Sequence, residues 1–185
     1  MVYLDNTLSL QDTQPSLPEA LTRALDLVQH HSLGEHPVAI EGNLMVLRFF
    51  KCRLGSQLVQ QDDGSTRAAT SATLPTGHAI PYSALQTLAM TEGGLLKLER
   101  LCHSMHAVNH FIARQATGPL RLTLNPRLAN QGLSSHDARF MKLMEKLGID
   151  VGRLIVYLPE PVEPVISELL HSHYQRIGIT LVESA

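Results

Sequence analysis

Leu120-Arg121-Leu122-Thr123-Leu124-Asn125-Pro126-Arg127 alternates apolar and polar residues and then breaks on an Asn-Pro turn. Two further runs of this kind follow, Leu154 to Leu158 and Ile179 to Val182, short, rich in Leu, Ile and Val and bounded by turn residues, as strands are. Helical periodicity over about 135–147 and 163–176 separates the three. Ser134 reads as the N-cap of the first of these helices, with Asp137 in its first turn and Gly148-Ile149 as its stop. Strands joined in succession through helices must lie parallel with right-handed crossovers, so this third of the chain specifies an α/β fold.

Working outward, a short helix over 82–91 and a long one over 94–115 precede the first of these strands. In the long helix Leu98, Leu101, Met105, Val108 and Ile112 fall on one stripe. Pro75, Gly77 and Pro81 mark a loop before them. From Val38 to Thr73 the pattern is β-rich, with Leu44-Met45-Val46-Leu47 and Leu58-Val59 as strands and Asp62-Asp63-Gly64-Ser65 as a hairpin turn. Residues 1–15 are polar and irregular. Ser16-Leu17-Pro18-Glu19 then opens a helix, with a hydroxyl cap and a carboxylate three places on; Leu17, Leu21, Ala24, Leu25 and Val28 are its apolar face, and His30, His31 and Gly34 mark its end. The chain therefore divides into an N-terminal segment with one helix, 1–37, and an α/β domain, 38–185.

At 185 residues, 44% hydrophobic and 17% charged, the composition is that of one soluble globular domain. With no Trp and 4% aromatics, its core must be aliphatic. The net charge is −2 and no basic block occurs, so the electrostatic footprint of nucleic acid or anionic membrane binding is missing. Cys52 and Cys102 lack metal-type spacing and sit in apolar-periodic segments, as core thiols do; a reducing, cytoplasmic location is expected. No basic leader with an apolar run is seen, nor a stretch approaching the ~18 apolar residues of a membrane span.

In parallel α/β folds chemistry sits at the carboxyl ends of the strands. Here these ends are Asn125-Pro126-Arg127, Pro159-Glu160-Pro161 and Glu183-Ser184-Ala185. One amide, one carboxylate in a Pro-flanked turn and one near-terminal carboxylate supply too few hard oxygen ligands for a hydrolytic metal site. Asn125, Arg127 and Glu160 are the candidate ligand-binding residues; no catalytic residue and no metal ligand is assigned. The plainer reading has Asn125 closing a turn, Glu160 solvated and Glu183 ending a strand. His106 and His110 stand at i and i+4, a spacing that can serve a metal. Together with His103, however, they point away from the apolar stripe, so a solvated helix flank is expected. His171 and His173, two apart on a helix, do not face each other.

Several segments, in order, resemble the EAL family of cyclic-di-GMP phosphodiesterases. Ile80-Pro81-Tyr82-Ser83-Ala84-Leu85-Gln86-Thr87-Leu88-Ala89-Met90-Thr91-Glu92-Gly93 and then Leu98-Glu99-Arg100-Leu101 are similar to the family's I-P-P-A-E-F-I-P-L-A-E-E-x-G and L-D-R-W. Leu120 to Asn125 resembles its v-N-l-S strand, Leu147 through Glu160 the stretch ending in E-i-t-E, and Gly178 to Val182 the strand leading into D-D-F-G. The likeness spans about residues 78–182. It implies part of a TIM-like barrel: an N-terminal helix and hairpin followed by parallel β-α units, C-terminally truncated. Of the positions that hold cations in the family, Asn125 matches the Asn and Glu160 the second Glu of its pair. Tyr157 replaces the first Glu, and a neutral phenol cannot serve as a carboxylate. The signature Glu falls within Thr66 to Ala72, near Thr70, where no acid stands, and no arginine of Ser71 to Gly77 matches the nucleotide-contacting one. Where the paired aspartates belong the chain reads Ser184-Ala185.

The resemblance with these departures implies a non-catalytic signalling or regulatory protein acting through protein–protein interaction, with no cofactor. An incomplete barrel leaves an open edge and an uncovered face for a partner protein or a second copy. The alternatives are a receptor that binds cyclic-di-GMP without cleaving it and a fragment of a longer phosphodiesterase.

Overall fold

Among the described residues eight strands form a single sheet whose two halves obey different rules. The computed structural model describes residues 16–31, 37–89 and 91–183; the expectations for 1–15, Gly34, Met90 and Ser184-Ala185 lie outside them. Helix α1 (Leu17–His31) starts where expected, with the Ser16 amide and hydroxyl both donating to Glu19 Oε2 at 2.9 Å. Its buried Leu21, Ala24 and Val28 belong to the same core as the rest of the fold.

The first half of the sheet is an antiparallel meander of β1 (Val38–Glu41), β2 (Leu44–Phe49), β3 (Cys52–Gln60) and β4 (Thr66–Thr73). Phe50 and Lys51, both at positive φ, make the two-residue turn between β2 and β3; that backbone matches strand twist but disfavours side chains of this size. The β3–β4 turn falls on the expected Asp-Asp-Gly-Ser, where Asp63 Oδ1 accepts from the Ser65 amide (3.0 Å) and hydroxyl (2.6 Å). A two-residue strand β5 (Ala79–Ile80) adds to β4 and leads into α2 (Tyr82–Leu88).

The second half is parallel. Helix α3 (Glu92–Ala107), capped by the Thr91 hydroxyl, continues through a wider π-helical turn over Val108–Ala113, so the expected long helix is continuous but changes its winding. Then come β6 (Leu120–Thr123), the short α4 (Pro126–Ala129), α5 (Ala138–Leu147), β7 (Leu154–Leu158), α6 (Pro164–Ile177) and β8 (Thr180–Glu183). β6 pairs with β4, β7 with β6 and β8 with β7, all parallel, giving the order β1-β2-β3-β4-β6-β7-β8. The expected α/β class holds. The sheet is not closed into a barrel, since β1 and β8 lie at its opposite ends.

One capping assignment is corrected. Asp137, not Ser134, caps α5, its Oδ1 accepting from the Arg139 and Phe140 amides, while the Ser134 hydroxyl turns to Tyr174 OH at 2.7 Å. The stop at Gly148 stands, at φ 67° with the Ile149 amide bonded to Met144 O.

Because each crossover advances in the same direction, right-handedness puts α3, α5 and α6 on one face of the sheet. Leu120, Leu122, Leu154, Val156 and Leu158 are buried beneath these helices. Their neighbours Arg121, Thr123, Ile155 and Tyr157, in register with one another, point to the other face and stay partly or fully exposed. No helix among the described residues is long and apolar enough to cross a membrane.

Candidate functional site

β4 and β6 are bonded to each other only at their starts, Thr66 with Leu120 and Arg67 with Arg121. Beyond that they part, and the gap toward their carboxyl ends is a cleft of about 280 Å³. Thr70 and Asn125 line it from the strands, Tyr82 from α2, and Glu99, His103 and His106 from α3.

The α3 contribution follows from spacing. Glu99, His103, His106 and His110 stand at i, i+4, i+7 and i+11, one stripe of a helix. The sequence suggests a solvated flank for these histidines, and the structure overturns this: His103, His106 and His110 are 5%, 3% and 1% exposed. The helix is buried on both sides, so the side opposite its apolar stripe meets strands and loops instead of water. There the polar groups find partners, as burial demands, except Glu99 Oε2, which is buried with no hydrogen-bond partner among the described residues. Glu99 Oε1 accepts from the Asn125 amide at 2.5 Å. His106 lies between the Ser56 hydroxyl (2.7 Å, to Nδ1) and the Thr70 hydroxyl (3.0 Å, to Nε2). His110 Nε2 donates to Gly118 O at 2.9 Å. His103 Nδ1 is 3.1 Å from His136 Nε2 and 3.1 Å from the Ser135 hydroxyl, and the two rings stack with centroids 4.9 Å apart. His136 Nδ1 in turn meets Tyr174 OH at 2.9 Å.

Burial sets the protonation of this group. Desolvation lowers His103 to about 4 and His106 to about 3, and holds His136 well below its ordinary value, so all three are neutral at neutral pH. The same effect raises the Cys102 thiol to about 11 and raises Tyr82, whose hydroxyl donates to Cys102 Sγ at 3.4 Å. Glu99 is pushed up to about 7 by burial, opposed by the Asn125 amide and the Ser135 hydroxyl. The cleft is therefore a neutral, hydrogen-bonding environment in which Glu99 exchanges its proton near neutral pH. Cys102 is protonated there and is no nucleophile.

Of the residues singled out from sequence, Asn125 is at the cleft. It is buried, and its Oδ1 caps α4 by accepting from the Arg127 amide at 2.9 Å. Arg127 is exposed beside it and reaches Gln86 O at 3.5 Å. Glu160 sits exposed on the loop after β7 and does not line the cleft. Glu183 ends β8 and bonds Ser167 of α6 at 2.5 Å. Thr70 is tied to His106, and Tyr157 lies on the uncovered face with the Arg121 guanidinium 5.8 Å from its ring centre. Sequence reasoning missed Glu99, His103, His136 and Tyr174. The stripe spacing of Glu99 and His103 was there to be read; nothing local pointed to His136 or Tyr174. Among the described residues no group of three or more His, Cys, Asp or Glu side chains is placed to hold a metal ion.

These features define an α/β protein with a one-sided sheet and a polar cleft at the splayed ends of its parallel strands. No protein-family model matches the sequence, and no curated protein matches it.

Proposed function

We propose that this chain is a non-catalytic, EAL-like regulatory protein, its sheet a partial barrel of that type, which acts by binding an acidic protein through the uncovered face. The face itself carries the reading. Arg48 and Arg53 are register partners on it, as are Arg67 and Arg121. Glu41 pairs with Arg48 and Arg53, and Asp63 with Arg121, so among the described residues the four arginines exceed the two acids. A second copy laid face to face would set this excess against itself. An acidic partner would be complementary to it. The neutral groups at Thr70 and Tyr157, which the resemblance aligns with metal-holding acids, support the absence of phosphodiester hydrolysis.

Two measurements test this. Incubation with cyclic-di-GMP and magnesium is expected to yield no product, and hydrolysis would overturn the non-catalytic reading. A protein cross-linked to the chain in cells, once identified and purified, is expected to be acidic and to lose at least tenfold in affinity for the Arg67→Glu/Arg121→Glu variant. Unchanged affinity, or a dimer on sedimentation that the same variant leaves intact, would overturn the partner assignment.

A further inference from the structure

A second cavity, of about 240 Å³, lies between α1, the first half of α3 and α5, on the helical side of the molecule. Val28, Leu101 and Leu143 form an apolar floor, and Lys97, Arg100 and Arg139 stand around it. Neither the cleft at the strand ends nor the uncovered face shares a residue with it.

We infer that this groove is a binding site for a small amphiphilic anion, a carboxylate or a phosphate monoester carried on an apolar chain or ring. Three cationic side chains from two helices meeting over one apolar floor is not what composition dictates, because the chain as a whole carries net −2. Among the described residues the acid beside Arg100 is already engaged. Asp137 holds Arg100 through one oxygen at 2.5 Å and caps α5 with the other. That ion pair fixes the Arg100 guanidinium, whose Nε is buried without a hydrogen-bond partner among the described residues. A preorganised guanidinium suits a carboxylate or phosphate because its planar donors match paired oxygens. The mixed lining adds a second requirement: the ligand must bring an apolar part to cover Val28, Leu101 and Leu143. A free inorganic anion satisfies only half of the site.

Titration calorimetry of the intact chain tests this with four probes: hexyl phosphate, hexanoate, inorganic phosphate and hexanol. One of the first two is expected to bind at least tenfold more tightly than both of the last two, and which one does so distinguishes a phosphate from a carboxylate ligand. Arg139 is exposed, and Arg139→Gln is expected to fold normally and weaken that binding at least fivefold, as is added salt. Arg127→Gln, at the strand ends, is expected to leave it unchanged. Equal binding of all four probes, or binding lost in Arg127→Gln and kept in Arg139→Gln, would overturn the assignment.

Discussion

Leu122 and Thr123 are consecutive on β6 and belong to different worlds. Leu122 is 1% exposed beneath the helices; Thr123 faces outward beside Tyr157 of the neighbouring strand. The same contrast runs across the parallel half of the sheet. The helix-side face is apolar, and the α3 polar stripe is hydrogen-bonded there apart from one oxygen of Glu99. The other face sets Arg67 directly opposite Arg121 on adjoining strands, an arrangement that costs stability because like charges oppose. A face shaped for stability alone has no use for that pairing. One face holds the molecule together, and the other is the place to look for what the molecule does.

The contrast is tested most sharply by truncating both residues. Leu122→Ala is expected to cost about 2–5 kcal/mol, the range for a buried leucine that leaves a cavity, whereas Thr123→Ala should change stability by no more than about 0.5 kcal/mol. Urea unfolding of the two variants reads the difference; similar losses would mean that the second face is covered after all. Slightly smaller is the expected effect of Asn109→Ala. This fully buried amide accepts from the Met45 amide at 2.7 Å and donates to Met45 O at 2.8 Å, tying the π-helical turn to β2. Its removal leaves two buried backbone groups unpaired at about 1–3 kcal/mol in total, measurable by the same method and by faster hydrogen exchange at Met45.

The buried polar stripe predicts a pH profile whose two limbs have opposite causes. The histidines are depressed in the fold from 6.5 to about 4 (His103) and about 3 (His106), with His136 moved in the same direction. The unfolded chain therefore binds more protons below pH 6.5, and stability falls as pH drops from there toward 4. Glu99 is raised from 4.5 to about 7, so between those values the folded state binds more protons, and its contribution falls as pH rises. Three histidines outweigh one carboxyl on the acid side, which places the maximum near pH 6.5. Glu99→Gln removes only the loss on rising to pH 7, on the order of 3 kcal/mol by linkage, so its advantage over the parent chain should grow from pH 4.5 to 7 and then level off. Thermal melts across this range check the sign, and an advantage that shrinks with pH would contradict the burial of that carboxyl.

The fold was more legible than the site, for a physical reason. Periodicity reports which residues leave water, and it located the strands at 120–124 and 154–158, the hairpin turn and the stop at Gly148. It fared worse in the meander, where β4 reads Thr-Arg-Ala-Ala-Thr-Ser-Ala-Thr and carries little hydrophobic contrast. Among the described residues eight strands stand where the sequence pattern named five. For α3 periodicity reported the apolar stripe and gave the opposite flank to water, because pattern alone does not show that a helix is buried on both sides. His136 and Tyr174 meet His103 only through tertiary packing, from loop and α6, and no local pattern carries that information. Of the two residues that the resemblance singled out, Asn125 sits at the cleft, with the candidate Arg127 beside it, while Glu160 stands apart from it.

The smallest expected effect bears on the outward face most directly. Arg67 is exposed and has no ion pair among the described residues, and its register partner Arg121 is held by Asp63. Arg67→Glu replaces a repulsive cross-strand pair with an attractive one and should raise stability by about 0.2–1 kcal/mol. If the face existed only to be solvated, the substitution would be a plain improvement. If it binds an acidic protein, the same substitution must weaken that complex, and the loss should shrink as salt is added. A variant that is more stable and less able to bind its partner would show that the second face gives up stability for recognition. A variant that is less stable would mean that Arg67 is engaged within the chain itself, and the division of labour between the two faces would have to be redrawn.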